Sequence, residues 1–263
     1  MREDLLIRFS QNHPCWSRDL LFSAGEVLLL DENLDYLLTQ GLLIKHDNLY
    51  CLSDAGRTVF EKISDELFLY ERPGNEPKDF KRCALTTELW LELERCNLQK
   101  WGLKKYLFRP ELNNFTPDLF LIINYDFEQY LDFKPPEQDE LKLVNTDRFI
   151  FVIVNNININ EELDVINKFY KFIIEQRLRL QGRFDLDCHD QDSATWLIFL
   201  TETQELAINL QRELKNFAFK FIELLRPAEI WTLSLESLRQ CEAGRDVIWE
   251  IVPKFALPVC RDI

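Results

Sequence analysis

The stretch Arg148 to Val154 most constrains what this chain can fold into. After Arg148 it reads Phe-Ile-Phe-Val-Ile-Val, a continuous apolar run in which no polar residue alternates. A strand of that composition needs burial on both faces, the condition of a central strand in a sheet covered on each side. Helix-like and strand-like segments alternate around it. Thr86 to Gln99 has helical spacing, with Thr86 or Thr87 as cap; Lys105 to Phe108, Asp118 to Asn124 and Gln129 to Lys134 read as strands. Downstream, a helix is expected over Glu161 to Arg179 with Asn160 as its cap, then a strand at Trp196 to Leu200. A helix at Thr203 to Phe217 and a strand at Ile230 to Leu235 complete the series. This order predicts an α/β fold with a mixed central sheet.

The part before residue 70 is organised differently. Glu3 to Ser10 is a short amphipathic segment, and Ser17 caps a second one with Asp19 in its first turn. Asp31 to Gln40 carries Leu34, Leu37 and Leu38 at helical spacing and stops at Gly41, where the chain needs a residue tolerant of positive φ. Leu43 and Ile44, a polar turn, and Leu49 to Leu52 form a β-hairpin; Ser53 then caps a helix through Phe60 and Ile63. Between the two parts, residues 71–79 contain two prolines, a glycine and charges in place of apolar periodicity. The expected organisation is residues 1–70, a linker at 71–79, and residues 80–263.

Composition excludes several classes. With 46% hydrophobic and 13% aromatic residues the chain has material for a core, so disorder is set aside. It lacks an apolar run long enough for a membrane span, and its acidic N-terminus is unlike a signal peptide, so a cytosolic protein without membrane contact is expected. The seven cysteines include no C-x-x-C pair and read as idle thiols, and three histidines are too few for an all-protein zinc site. None of the seven glycines falls in a phosphate-cradling or dinucleotide-binding pattern.

Leu37-Leu38-Thr39-Gln40-Gly41-Leu42-Leu43-Ile44, followed by Leu49-Tyr50-Cys51-Leu52-Ser53-Asp54-Ala55-Gly56, resembles the helix, wing and Y-x-L-[ST]-x-x-G pattern of winged helix-turn-helix domains. The resemblance implies a helix presented to the DNA major groove. Yet the helix before the wing holds Asp31, Glu32 and Asp35 and no Lys or Arg. Residues 1–72 contain 7 Lys+Arg and 13 Asp+Glu, a net of −6. Phosphate is repelled by such a face. DNA contact would fall to Lys45, His46, Asn48 and Arg57; the other use of such a domain is protein contact or homodimerisation. A second basic group, Lys100, Lys104, Lys105 and Arg109, is interleaved with Trp101, Tyr106 and Phe108 and reads either as a nucleic-acid patch or as a solvated strand face.

Pro117-Asp118, with Asp132-Phe133-Lys134 fourteen residues on, resembles the PD-(D/E)-x-K motif of restriction-endonuclease-like domains. Two carboxylates on adjacent strand ends would hold Mg2+, Lys134 would orient the attacking water, and Glu88 or Glu92 would support. A rival register comes from a second resemblance. Joined winged-helix and nuclease-like domains are similar to the replication-relaxation family of mobile elements, whose central strand ends in two acids and whose following helix carries a lysine. Here those positions are Val154, Asn156 and Lys168. Valine offers no oxygen ligand and asparagine a neutral one, so this register implies a degenerate scaffold. The apolar run at Phe149 to Val154 favours it, and Asp118 after Pro117 then simply fixes a turn.

The expectation is therefore a non-catalytic binding or regulatory protein acting in replication, mobilisation or regulation of a mobile element. It would have no resident cofactor. Its formal charge of −14 points to a basic protein partner, with DNA held only through local patches. Two alternatives stand beside it: a magnesium-dependent DNA nuclease with Asp118, Asp132 and Lys134 as catalytic residues, Asp118 and Asp132 holding the metal; and an acidic inhibitor occupying the groove of a nucleic-acid-binding protein.

Overall fold

The structure, a computed structural model, describes residues 3–9, 13–26, 32–64, 77–96, 103–108, 115–125, 145–181, 195–218, 228–246 and 248–259. The chain is mixed α/β and divides into two compact units, Met1–Leu93 and Glu94–Ile263.

The first unit opens with a 3-10 helix, Glu3–Arg8, followed by strand β1 (Cys15–Ser17) and helix α1 (Arg18–Ser23). Ser17 caps α1 as expected, its hydroxyl accepting the Leu20 N–H at 3.0 Å. Helix α2 (Glu32–Thr39) buries Leu34 and Leu37 and ends at Gly41, whose φ of 68° is the left-handed conformation foreseen there. Strands β2 (Leu43–His46) and β3 (Leu49–Leu52) form the hairpin, with Asp47 at φ 51° in its turn. β1 adds to the far edge of β3, giving a three-stranded antiparallel sheet in the order β1-β3-β2. Helix α3 (Asp54–Ile63) follows, capped by Ser53.

The turn into α3 is tied back to the end of α2. Ser53 donates its backbone N–H to the Leu42 carbonyl and its hydroxyl to the Gly41 carbonyl, and its oxygen accepts the Gly56 N–H at 3.0 Å. A Cβ at residue 56 would overlap the Leu42 carbonyl oxygen. This position requires glycine because backbone approaches backbone.

Helix α4 (Pro77–Arg95) begins well before the expected Thr86. Pro77 occupies its first position, where a missing N–H costs nothing, so Pro77, Lys78 and Asp79 of the expected linker are helical. Residues 71–76 lie outside the described residues. Thr86 and Thr87, expected as caps, are buried in the helix interior, and their hydroxyls donate to the Arg82 and Cys83 carbonyls.

The second unit is built on a six-stranded mixed sheet: β4 (Leu103–Phe108), β5 (Leu119–Tyr125), β6 (Asn145–Ile153), β7 (Thr195–Thr201), β8 (Ala228–Ser234) and β9 (Leu257–Pro258), hydrogen-bonded in that order. β5 runs antiparallel to both β4 and β6, while β6, β7 and β8 are parallel and β9 is antiparallel to β8. Helices α5 (Ile159–Gln181) and α6 (Gln204–Ala218) make the two crossovers. Their apolar faces, Ile166, Phe169, Phe172, Leu210 and Leu214, share one core with Phe120, Ile150, Val152, Leu197, Phe199 and Ile230. The alternate residues Leu121, Phe149, Phe151, Ile153, Ile198 and Leu200 are at most 5% exposed, so β6 is buried on both faces as its sequence requires. Two short helices close the unit, α7 (Leu235–Leu238) and α8 (Ile248–Phe255), neither of them anticipated from the sequence. No helix among the described residues is long and apolar enough to cross a membrane.

Replacing Gly56 by alanine forces the Leu42 backbone away from α3. Gly56→Ala should cost roughly 2 kcal/mol or more, and Ala55→Gly under about 1 kcal/mol, read as urea midpoints by circular dichroism.

Candidate functional site

The site the sequence singles out begins at Pro117-Asp118, where the chain enters β5. Continuing the β5–β6 register past Leu119 and Phe151 would set Pro117 opposite Ile153. Proline has no N–H to offer a ladder, and the regular pairing stops there. Asp118 takes over on both sides. Its N–H donates to the Phe151 carbonyl at 2.9 Å, and its Oδ2 accepts the Ile153 N–H at 2.7 Å. The residue is 0% exposed. A carboxylate so placed closes the strand end with a charge-assisted hydrogen bond.

Both hydrogen-bonding edges of β5 are filled, one by β4 and the other by β6. Asp132 and Lys134, the other members of the nuclease-like constellation, lie outside the described residues, as does the strand expected at Gln129 to Lys134. Glu88 and Glu92 are half-buried on α4. In the rival register, Val154 is buried and donates its N–H to the Leu200 carbonyl at 2.8 Å, prolonging the β6–β7 pairing. Asn156 is exposed. Lys168 forms an ion pair with Asp164 one helical turn before it, Nζ to Oδ2 at 2.6 Å. Among the described residues, no group of three or more His, Cys, Asp or Glu side chains is placed to hold a metal ion.

The loop leaving β6 carries an acid that the sequence reading passed over. Helix α5 starts at Ile159, so Asn158 and not Asn160 stands at the cap position. Asn158 donates its side-chain N–H to Glu161 at 2.6 Å and its backbone N–H to Glu162 Oε1 at 3.4 Å. This is the return bond of a capping box displaced by one residue. Glu162 is 5% exposed, and its Oε2 has no hydrogen-bond partner. Burial pushes its carboxyl above the usual glutamate range, against the lowering effect of its own and the Asn158 N–H. The sequence signal was present, since Asn158 is followed by acids three and four positions on.

The basic candidates of the first unit lie on the hairpin and on α3. Lys45 is exposed on β2, its Nζ 5.4 Å from the centre of the Tyr50 ring. His46 is half-buried, stacks on Phe80 at 5.1 Å between ring centres, and has its Nδ1 3.3 Å from Asp47 Oδ2. Asn48 is exposed in the turn, and Arg57 is half-buried on α3. Lys45, His46 and Asn48 are thus gathered at one end of the hairpin, beside an exposed aspartate. In the second basic group, Lys104 and Lys105 fall on β4, while Lys100 and Arg109 lie outside the described residues.

Thiols form the other cluster missing from the sequence reading. Cys15, Cys51, Cys83, Cys96 and Cys241 are all buried, and none of the five is in a disulfide. The Cys51 thiol is hydrogen-bonded to Cys15 and interacts with Cys83; Cys241 is hydrogen-bonded to Cys96. Spacing along the chain could not bring these together.

Comparison with family models, with curated proteins and with solved structures finds no match to this chain.

Two outcomes follow from the buried acids. Asp118→Ala leaves the Ile153 N–H without an acceptor and should destabilise the second unit by about 1–3 kcal/mol, whereas Asp118→Asn, which retains an acceptor, should cost less; urea titration measures both. Glu162 has a folded-state pKa above its unfolded value of 4.5, so the folded protein holds the proton more tightly. Its contribution is most favourable below the unfolded pKa and is lost as pH rises through the folded one. Glu162→Gln should therefore raise the melting temperature relative to the parent at pH 7, and the gain should disappear by pH 4.

Proposed function

We propose that this protein is a non-catalytic binding or regulatory factor, built from a winged-helix domain and a degenerate nuclease-like scaffold. A role in replication, mobilisation or regulation of a mobile element is what its resemblance to the replication-relaxation family implies. The observation that carries the non-catalytic reading is the state of Asp118. Its buried carboxylate accepts a strand N–H at 2.7 Å. A metal-holding carboxylate has to turn its oxygens to an ion, whereas Oδ2 of this one is taken up by the backbone at the end of a strand.

The winged-helix reading is supported by the order of elements in the first unit. Helices α1, α2 and α3 accompany a hairpin, with a left-handed glycine before it and a capping serine after it. Charge then decides what the domain is suited to bind. Glu32 and Asp35 are exposed on α2, the helix that a DNA-reading domain would present to bases. Such a face suits a basic protein, and DNA contact would be limited to the hairpin end at Lys45, His46 and Asn48.

The test is calorimetry with Mg2+ and Mn2+ at low salt, on the parent and on Asp118→Asn. The expected result is no saturable binding in either. Binding that the substitution abolishes would replace this proposal with the nuclease reading, with Asp132 and Lys134 as the next targets. A duplex titration completes it: weak binding lost between about 50 and 200 mM salt is expected. Tight duplex binding that survives the higher salt would overturn the preference for a basic protein partner.

A further inference from the structure

We propose that Cys15 and Cys51 are a redox-modifiable dithiol that closes to a cross-strand disulfide stapling β1 to β3. The two residues are direct partners in the β1–β3 register. An antiparallel pair is either hydrogen-bonded, with Cα atoms about 5.5 Å apart, or non-hydrogen-bonded, with Cα atoms about 4.5 Å apart and side chains closer. Two observations assign this pair to the second kind. The Cys15 N–H leaves the ladder and donates to the Thr87 hydroxyl at 3.3 Å. On the other edge of β3, Ser53 donates its N–H to the Leu42 carbonyl, and the alternation of the β2–β3 register then turns the Cys51 backbone groups toward Ile44. A narrow pair of this kind lies within the Cα separation of about 4.4–6.8 Å that a disulfide spans. As direct register partners, the two residues send their side chains from the same face of the sheet, which sets the sulfurs opposite one another.

The co-reactant is a small-molecule disulfide of the glutathione type. One protein thiol gives up its proton and attacks the small disulfide, breaking its S–S bond and releasing one small thiol. The second protein thiol then attacks the mixed disulfide at the protein sulfur and releases the other. One S–S bond breaks and one forms. Two electrons pass from the protein to the small disulfide, and the two protons end on the released thiols.

Access controls this chemistry. Cys15 and Cys51 are 0% and 1% exposed, and burial pushes the Cys51 thiol up, away from the reactive thiolate. The closed sheet protects the pair. β1, however, is a three-residue strand at the sheet edge, and its release uncovers both sulfurs. Oxidation would record that opening, and the bond would then hold the segment from α1 through the hairpin turn in a covalent loop. Cys83 on α4 is a third thiol that acts on Cys51, but the residue opposite Cys51 in the strand register is Cys15.

The experiment equilibrates the full chain in a series of reduced and oxidised glutathione mixtures, followed by acid quench, alkylation and peptide mapping by mass spectrometry. A Cys15–Cys51 linked peptide, with the loss of two hydrogens, should accumulate as the mixture becomes oxidising. The oxidised protein should melt roughly 5–15 °C above the reduced one. The link and the thermal gain should both survive Cys83→Ala and both be absent from Cys51→Ala. Mapping of the parent chain is decisive even if a variant folds poorly. Absence of any link at the most oxidising mixture would overturn the proposal, as would a Cys51–Cys83 or Cys96–Cys241 link formed in place of Cys15–Cys51.

Discussion

Strand β6 has no solvent face, and most of the second unit follows from that. A strand whose side chains on both sides are apolar cannot sit at an edge or face water, so it needs neighbours in the sheet and cover above and below. β5 and β7 supply the neighbours, one antiparallel and one parallel. The parallel neighbour requires a long crossover, and α5 is that crossover. Its stripe of Ile166, Phe169 and Phe172 packs in one core with Ile150 and Val152. The same logic repeats from β7 to β8 through α6. Burial at roughly 25 cal/mol per Å2 of apolar area makes this sheet the main source of stability in the unit, and the polar groups at the strand ends are arranged around it.

In the first unit the governing constraint is a backbone approach. Gly41, Leu42, Ser53 and Gly56 form one hydrogen-bonded junction between the end of α2 and the start of α3, with the hairpin closed between them. The spacing of Gly41, Ser53 and Gly56 in the sequence is therefore a physical statement. Each residue type answers a separate need: positive φ, a short hydroxyl that both donates and accepts, and the absence of a Cβ.

How much could be read from sequence follows the range of the interaction that makes each element. Ser17, Gly41, Ser53 and the hairpin act within a few residues, and each was legible because its partner is close in the chain. The apolar run of β6 was legible for a different reason, since two-sided burial leaves a composition that only a central strand has. The start of α4 was misplaced because Pro77 signals a helix start as readily as a linker, and the threonines that resembled caps bond backward to the preceding turn. α7 and α8 were missed because they are short; α7 is a single turn capped by Ser234, whose hydroxyl also bonds Ser237 and Gln204. The thiol pairs were out of reach altogether. Cys15 meets Cys51 only once β1 has found the outer edge of β3, and nothing in the local sequence fixes that pairing.

The nuclease-like motif and the acidic composition come from one source. A chain with 45 acids has some of them in its interior, and each buried acid must find donors or forfeit its charge. Asp118 finds the Ile153 N–H, and Glu162 the Asn158 N–H. Asp246 accepts the Glu242 N–H and pairs with Lys254 at 3.3 Å. In these three cases the carboxylate closes the end of a strand, helix or turn where the backbone has a donor left over. Pro-Asp at the start of a strand satisfies that structural need and a metal-binding motif equally well. The two are separated by where the carboxylate oxygens point, which is a property of the fold. The acids that stay outside meet no such local demand, and they give the surface the negative field that any partner has to match.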